Sequence, residues 1–195
     1  VSATKQLWVL AGGNGVGKST FYKTSLLAKR GVLFLNADMI AKSIDADNPE
    51  AVSYDAANVA HKIREEFLFQ GISFCFETVF SHPSKIDFIA TAKANGYQVV
   101  LVYIHLDSLQ LNEARVFQRV REGGHNVPVQ KIRSRLPRTM QNIAVALHLV
   151  DEARLLDNSS RETPFRQVAL IRKGRRIDTV DPLPSWAAEL LTRIP

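Results

Sequence analysis

Near the start of the chain, Gly12-Gly13-Asn14-Gly15-Val16-Gly17-Lys18-Ser19-Thr20 has the residue types and spacing of a phosphate cradle. It follows an apolar run, Leu7 to Leu10, and fits the G-x-x-x-x-G-K-[ST] arrangement of a Walker A loop set between a strand and a helix. Consecutive backbone N–H groups at a helix N-terminus make an anion nest. Lys18 can reach the terminal phosphates of a nucleotide, and Ser19 can offer its hydroxyl to Mg²⁺. A glycine-rich turn that matches by chance is the bland alternative. The β-like run before the loop and the helical pattern from Phe21 to Lys29 argue against it, so ATP with Mg²⁺ is the expected ligand.

Two carboxylates lie where a parallel sheet would bring them to the same edge. Asp38 ends a short β-rich run through Asn36-Ala37, and Glu77-Thr78 ends another. Ligands of parallel α/β sheets bind at the C-terminal ends of the strands, so Lys18, Asp38 and Glu77 should meet. Transfer of a phosphoryl group to an alcohol needs the hydroxyl proton removed and the oxygen aimed at the γ-phosphate, and Asp38 is the candidate base. It could instead cap the turn Met39-Ile40-Ala41, or hold Mg²⁺ through water. Asp107 competes for that metal-side role, unless it only caps the helix that follows. Glu77 is the candidate for holding acceptor hydroxyls or orienting Asp38; pairing with an arginine is the alternative. Thr78 and Ser81-His82 can add hydrogen bonds to an acceptor.

Arginines supply the third ingredient. Arg115, Arg119, Arg121, Lys131, Arg133, Arg135 and Arg138 crowd into one segment around Gly123-Gly124. Two short helices joined by glycines and loaded with guanidiniums, over about residues 113–138, describe the lid of a small-molecule kinase. Arginine stays charged and matches planar phosphate oxygens. The alternative is a solvated basic face that binds RNA or nothing.

The elements that must position these groups can be read from apolar periodicity. Strands are expected at Gln6 to Leu10, Val32 to Asn36, Ile72 to Phe76 and Tyr97 to His105. Helices are expected at Lys18 to Ala28, Ala51 to Gln70, Pro83 to Asn95 and Leu109 to Glu122. Another begins at Pro128, breaks near Pro137 and continues to Ala153. Phe165 to Arg172 and Arg175 to Val180 flank Lys173-Gly174 as a hairpin, and a short helix spans Trp186 to Leu191. Strands apolar on both faces and alternating with helices imply an α/β fold with a mainly parallel sheet. We expect the P-loop nucleoside triphosphate hydrolase architecture with a helical lid and a C-terminal β-hairpin, in a single domain over residues 1–195.

Bulk properties fit this picture. Hydrophobic residues make up 46% and charged residues 23%, both ordinary for a globular chain. No apolar run approaches a membrane span, and the first residues show no leader pattern, so a cytoplasmic protein is expected. The lone Cys75 sits in an apolar run and reads as core. The net charge of +6 suits phosphorylated small molecules as well as nucleic acid.

The ordered set of motifs resembles the zeta-toxin family of P-loop kinases. The matching stretches are Ala11 to Thr20, Asn36 to Ala41, Phe76 to Ser81, Arg119 to Pro128, Lys131 to Arg135 and Leu156 to Ser159, within roughly residues 5–172. The resemblance implies that Lys18 and Ser19 bind ATP and Mg²⁺, that Asp38 is the substrate-facing base and that Glu77 contacts a sugar. It implies that two lid arginines clamp the phosphates, best matched by Arg119 and Arg133, with Arg121 and Arg135 as the neighbouring alternatives. It also implies a sugar hydroxyl of UDP-N-acetylglucosamine as acceptor and an antitoxin protein as partner. The larger toxins of that family carry added segments that help hold the substrate, so other nucleotide-like acceptors stay open here.

The expected function is therefore phosphoryl transfer from ATP to a hydroxyl of a small molecule. Catalysis falls to Asp38, Lys18, Arg119 and Arg133, and acceptor binding to Asp38, Glu77, Thr78, Arg121 and Arg135. The nucleotide falls to the loop residues from Gly12 to Thr20, with Asn158 beside the base. Two alternatives remain. A bare ATPase would use Asp38 for water or metal. An RNA-binding or RNA-phosphorylating protein would use the positive charge, and the lack of aromatic residues interleaved with basic ones argues against it.

Overall fold

The computed structural model describes residues 4–121 and 128–195, without the side chains of Leu26, Leu109, Arg119 and Val120. Among the described residues seven strands form one sheet: β1 (Gln6–Ala11), β2 (Leu33–Leu35), β3 (Phe74–Thr78), β4 (Gln98–His105), β5 (Glu152–Asp157), β6 (Arg166–Arg172) and β7 (Arg175–Thr179). The helices are α1 (Lys18–Thr24), α2 (Leu26–Lys29), α3 (Ala37–Ile44), α4 (Ser53–Gln70), α5 (Ser84–Ala94), α6 (Leu109–Arg121), α7 (Val129–Ala146) and α8 (Ser185–Leu191). The strand order is β2-β3-β1-β4-β5-β6-β7. The first five of these run parallel, and β6 and β7 close the sheet as an antiparallel hairpin.

Strand alternation explains the layers. Leu7, Val9, Val99, Leu101 and Tyr103 point into one apolar cluster with α4, α5, α7 and α8. Leu10, Val100, Val102 and Ile104 point the other way, against α1, α2 and α6. Both faces are thus covered by helices, which is why β1 and β4 read as unbroken apolar runs. Cys75 lies in the second cluster, and burial pushes its thiol well above the usual range, as a core cysteine requires. Lys173 and Gly174 both take left-handed backbone, with φ of 48° and 70°, the geometry a two-residue hairpin needs.

The structure departs from the expected elements at several points. The helix at Lys18 breaks at Ser25 into α1 and α2. Asn36, not Asp38, caps a helix rather than a turn: its Oδ1 accepts from the N–H of Asp38 at 2.7 Å and of Met39 at 3.3 Å. The helix expected to break at Pro137 runs through it, because Ile143 and Ala146 are buried in the first apolar cluster and Thr139 is buried where it bonds the backbone of Val79. That helix ends at Ala146 rather than Ala153, and β5 occupies Glu152–Asp157 as a central strand. The backbone pairing of Val100 to His105 with Glu152 to Asp157 decides that segment; its apolar content alone did not.

Candidate active site

β1 sits between β3 and β4, so the loop leaving its C-terminal end is hemmed by both neighbours. The loop amide of Gly12 donates to Thr78 O at 3.3 Å, and a Cβ on Gly12 would stand 2.3 Å from Ile104 O. Only glycine fits where the loop grazes β4. Gly17 has φ of 98°, and a Cβ there would stand 2.9 Å from Asn158 Nδ2.

Lys18 opens α1 and is only 7% exposed. Its Nζ curls back over the loop and donates to Gly12 O at 3.0 Å and Gly13 O at 2.8 Å. Asn158, just past β5, fastens the loop from the other side. Its Nδ2 donates to Val16 O at 2.9 Å, and its Oδ1 accepts from the Phe165 N–H at 3.2 Å. Its carbonyl accepts from Arg115 Nη2 at 2.9 Å. Asn158 therefore lines the nucleotide side of the site while its amide group is engaged by protein.

Glu77 is the penultimate residue of β3, which runs two residues past Phe76, and it pairs with Leu10 of β1 at the strand end, as expected. That register puts it beside the first turn of α1, where Ser19 Oγ donates to its Oε2 at 2.6 Å. Asn36 Nδ2 approaches the same hydroxyl at 3.5 Å. Among the described residues no group of three or more His, Cys, Asp or Glu side chains is arranged to hold a metal. One hydroxyl and one carboxylate side by side at a phosphate loop suit Mg²⁺ instead. That ion commonly takes only one or two protein oxygens and fills its octahedron with phosphates and water.

Two cavities of about 710 Å³ each open at this edge. One is lined by the phosphate loop, Lys23, Arg115, Arg161 and Phe165. The other is lined by Asn14, Asp38, Thr78, His82, Lys131 and Arg135 among others. Lys18 and Glu77 line both, so the cavities meet at these two side chains. Asp38 is exposed at the start of α3, which opens on the second cavity. Thr78 Oγ1 accepts from the Phe80 N–H at 3.0 Å and shapes the turn that leads away from β3.

The arginines divide. Arg135 on α7 lines the second cavity, with Nη1 at 3.5 Å from Asn14 Oδ1. Arg133 lies on the outside, 2.8 Å from Glu113 of α6, and that contact raises its pKa. Arg121 is exposed at the end of α6 and lines neither cavity. The Arg119 side chain and residues 122–127, the glycine-containing centre of the expected lid, lie outside the described residues. The root of α7 is fixed: Thr139 Oγ1 donates to Val79 O and Asn142 Nδ2 to Phe80 O, both at 2.9 Å.

Several lining residues went unassigned in the sequence reading. Arg161 follows the polar turn after β5, and Arg115 was noted only as part of the basic cluster. Burial and the charge of Arg161 both lower the pKa of Arg115. Arg64 carried a usable signal: it interrupts the apolar stripe Ala56, Ala60, Leu68 at helical spacing.

The sequence model of one protein family, described as Zeta toxin, matches residues 2–170. An uncharacterized protein of Haemophilus influenzae is 35% identical over 128 residues, covering 62% of this chain and 90% of that protein. The solved structure of AvrRxo1-ORF1:-ORF2 with ATP superposes with a TM-score of 0.74 at 19% identity, over 99% of this chain and 64% of the matched one. This chain thus spans less than two thirds of that matched chain. The PezAT chromosomal toxin-antitoxin system of Streptococcus pneumoniae superposes with a TM-score of 0.67 at 14% identity, over 99% of this chain and 79% of the matched one. At such identities these two likenesses concern the fold.

Proposed function

Since this chain belongs to the zeta-toxin family, we propose that it is an ATP-dependent phosphotransferase acting on a hydroxyl of a small molecule. The observation that carries this reading is the meeting of two cavities at Lys18 and Glu77. A nucleotide-binding protein without an acceptor needs only the cavity at the phosphate loop. A second cavity of equal size, opening on the same lysine, provides for a second substrate.

In this reading the loop amides and Lys18 hold the β- and γ-phosphates, Lys18 releasing Gly12 O and Gly13 O to do so. Ser19 and Glu77 would hold Mg²⁺, which neutralises charge on the phosphate oxygens when bound. Asp38 accepts the proton of the acceptor hydroxyl as its oxygen bonds to the γ-phosphorus and the bond to ADP breaks. Arg135 steadies the charge on the phosphoryl group in flight. Residues 113–138 act as the lid, within a chain that works as one kinase unit. A nucleotide sugar such as UDP-N-acetylglucosamine is the acceptor class that the family likeness supplies. A small inhibitory protein partner belongs to the same proposal, supported by the toxin-antitoxin description of the PezAT relative.

The test is a metabolite screen with ATP labelled at the γ-phosphate, run on the wild type and on Asp38→Asn. Label should move to an acceptor only with the wild type. ATP turnover that no metabolite stimulates, and that Asp38→Asn leaves unchanged, would replace the kinase with a simple ATPase.

A further inference from the structure

The buried side of α4 reads Ala56, Ala60, Arg64, Leu68. A guanidinium thus stands where the pattern calls for an apolar group. Arg64 is 8% exposed and lies over the rings of Phe76 and Phe88, at 5.2 Å and 5.7 Å. Ring faces meet the charge of a guanidinium but not its in-plane donors. Among the described residues its Nε has no hydrogen-bond partner, and no salt bridge reaches it. Burial lowers its pKa, and nearby Glu65 only opposes this.

Lys85, in the first turn of α5, stands close enough to feel that charge. Burial first, and Arg64 second, lower its pKa. Among the described residues its Nζ finds only Ser84 Oγ, at 3.5 Å. Both cations line the cavity that opens on Asp38. An unpaired buried charge strongly destabilises a fold, and two like charges on one wall do so more. Such a wall is completed by an anion that enters from the cavity and accepts several charge-assisted hydrogen bonds.

We infer that the acceptor carries a compact anionic group, a phosphate or a carboxylate, and that Arg64 and Lys85 hold it against the wall formed by α4, α5 and β3. Calling the ligand an acceptor rests on the kinase reading; the anion seat rests on the wall alone. The hydroxyl to be phosphorylated then lies between this seat and Asp38. The anion fixes the far end of the substrate and so selects among hydroxylated molecules.

The experiment uses the full chain with its phosphate loop saturated by a non-hydrolysable ATP analogue and Mg²⁺, so that the loop cannot take the probe. Inorganic phosphate and acetate are titrated separately by calorimetry, with the shift in Tm as a second readout. One of them should bind, and the tighter one identifies the group. Arg64→Met and Lys85→Met should each weaken that binding at least tenfold, while Asp38→Asn should leave it in place. Arg64→Met should keep or raise the Tm of the nucleotide-free protein, because it removes an unpaired buried charge. Lys85→Met, at a half-buried position, gives an independent variant. No anion binding once the nucleotide is bound, or equal binding by both variants, overturns the seat. If the seat binds an anion but no acceptor is ever phosphorylated, the kinase reading fails and the seat stands. If an acceptor is phosphorylated with the same KM by Arg64→Met, the seat fails and the kinase reading stands.

Discussion

Ser19 and Glu77, 58 positions apart in the chain, share a hydrogen bond of 2.6 Å. The hydroxyl belongs to the first turn of α1, just behind the phosphate loop, and the carboxylate to β3, so the bond ties the loop cavity to the neighbouring strand. Glu77→Gln keeps an acceptor for the hydroxyl and should fold normally. Removing the charge should lower kcat by about 100-fold and raise the Mg²⁺ concentration needed for half-maximal rate. Initial rates across a Mg²⁺ series check this; an unchanged Mg²⁺ requirement would move Glu77 to a purely acceptor-side role.

Asp38→Asn separates chemistry from structure. The cap of α3 is made by Asn36 to the backbone N–H of Asp38, which the substitution keeps, so stability should change by no more than about 0.5 kcal/mol. Transfer should fall by about 100- to 10,000-fold, as for loss of a general base, while calorimetry shows ATP affinity within about twofold. Loss of ATP binding would place Asp38 on the metal side.

Arg135 and Arg133 make a matched pair two residues apart. Arg135→Ala should reduce kcat by about 100-fold, because it removes a fixed donor beside the phosphate loop. Arg133→Ala breaks only a surface contact to Glu113, with Arg133 60% exposed, and should leave kcat within about threefold. The reverse order in steady-state kinetics would mean that the lid closes on Arg133 instead.

Asn158 holds the phosphate loop to the end of β5. Asn158→Ala leaves Val16 O and the Phe165 N–H without partners and should cost about 3 kcal/mol in urea unfolding. Nucleotide affinity should fall with it. A stability loss with unchanged ATP affinity would show that the loop keeps its shape without this tie.

His105 gives a pH signature. It is 6% exposed, stacks on Trp186 at 4.4 Å and bonds the Tyr103 hydroxyl through Nδ1 at 2.9 Å. Burial pulls its pKa down from 6.5 to about 4, against the opposing pull of Asp107 and Asp157. The unfolded chain therefore takes up the proton first. The stability His105 contributes is complete above about pH 6.5 and is lost as pH falls through about 4. Between pH 7 and about pH 4.5 this amounts to about 2 to 3 kcal/mol, and His105→Gln should remove that part of the pH dependence in urea titrations. Parallel curves for the two proteins would assign the acid sensitivity to carboxylates.

Much of the phosphate-loop half of the site was legible in the residues themselves. The phosphate loop is a local motif, and β1 and β4 announce themselves as runs apolar on both faces. The second cavity depended on register and on long-range packing. The parallel register that sets Glu77 beside Leu10 of β1 gives its bond to Ser19; the strand-end rule places the two residues near each other but does not specify that contact. The same holds for β5, whose residues are as apolar as a helix end. Helical spacing puts Arg133 and Arg135 on one helix, but only the packing of α7 shows which one faces the cavity. For Arg64 the clue was present, a charge in an apolar stripe, and it gained meaning only with a cavity beside it.

α7 is rooted by Thr139 and Asn142 on the backbone of Val79 and Phe80, while its first two turns carry Lys131 and Arg135. Pro137 lies between root and arm, and it removes the backbone bond that would otherwise reach Arg133. The helix therefore runs on through Pro137 with one backbone rung missing between arm and root. The joint least supported by backbone bonding thus separates the cavity-lining cations Lys131 and Arg135 from the anchors on Val79 and Phe80.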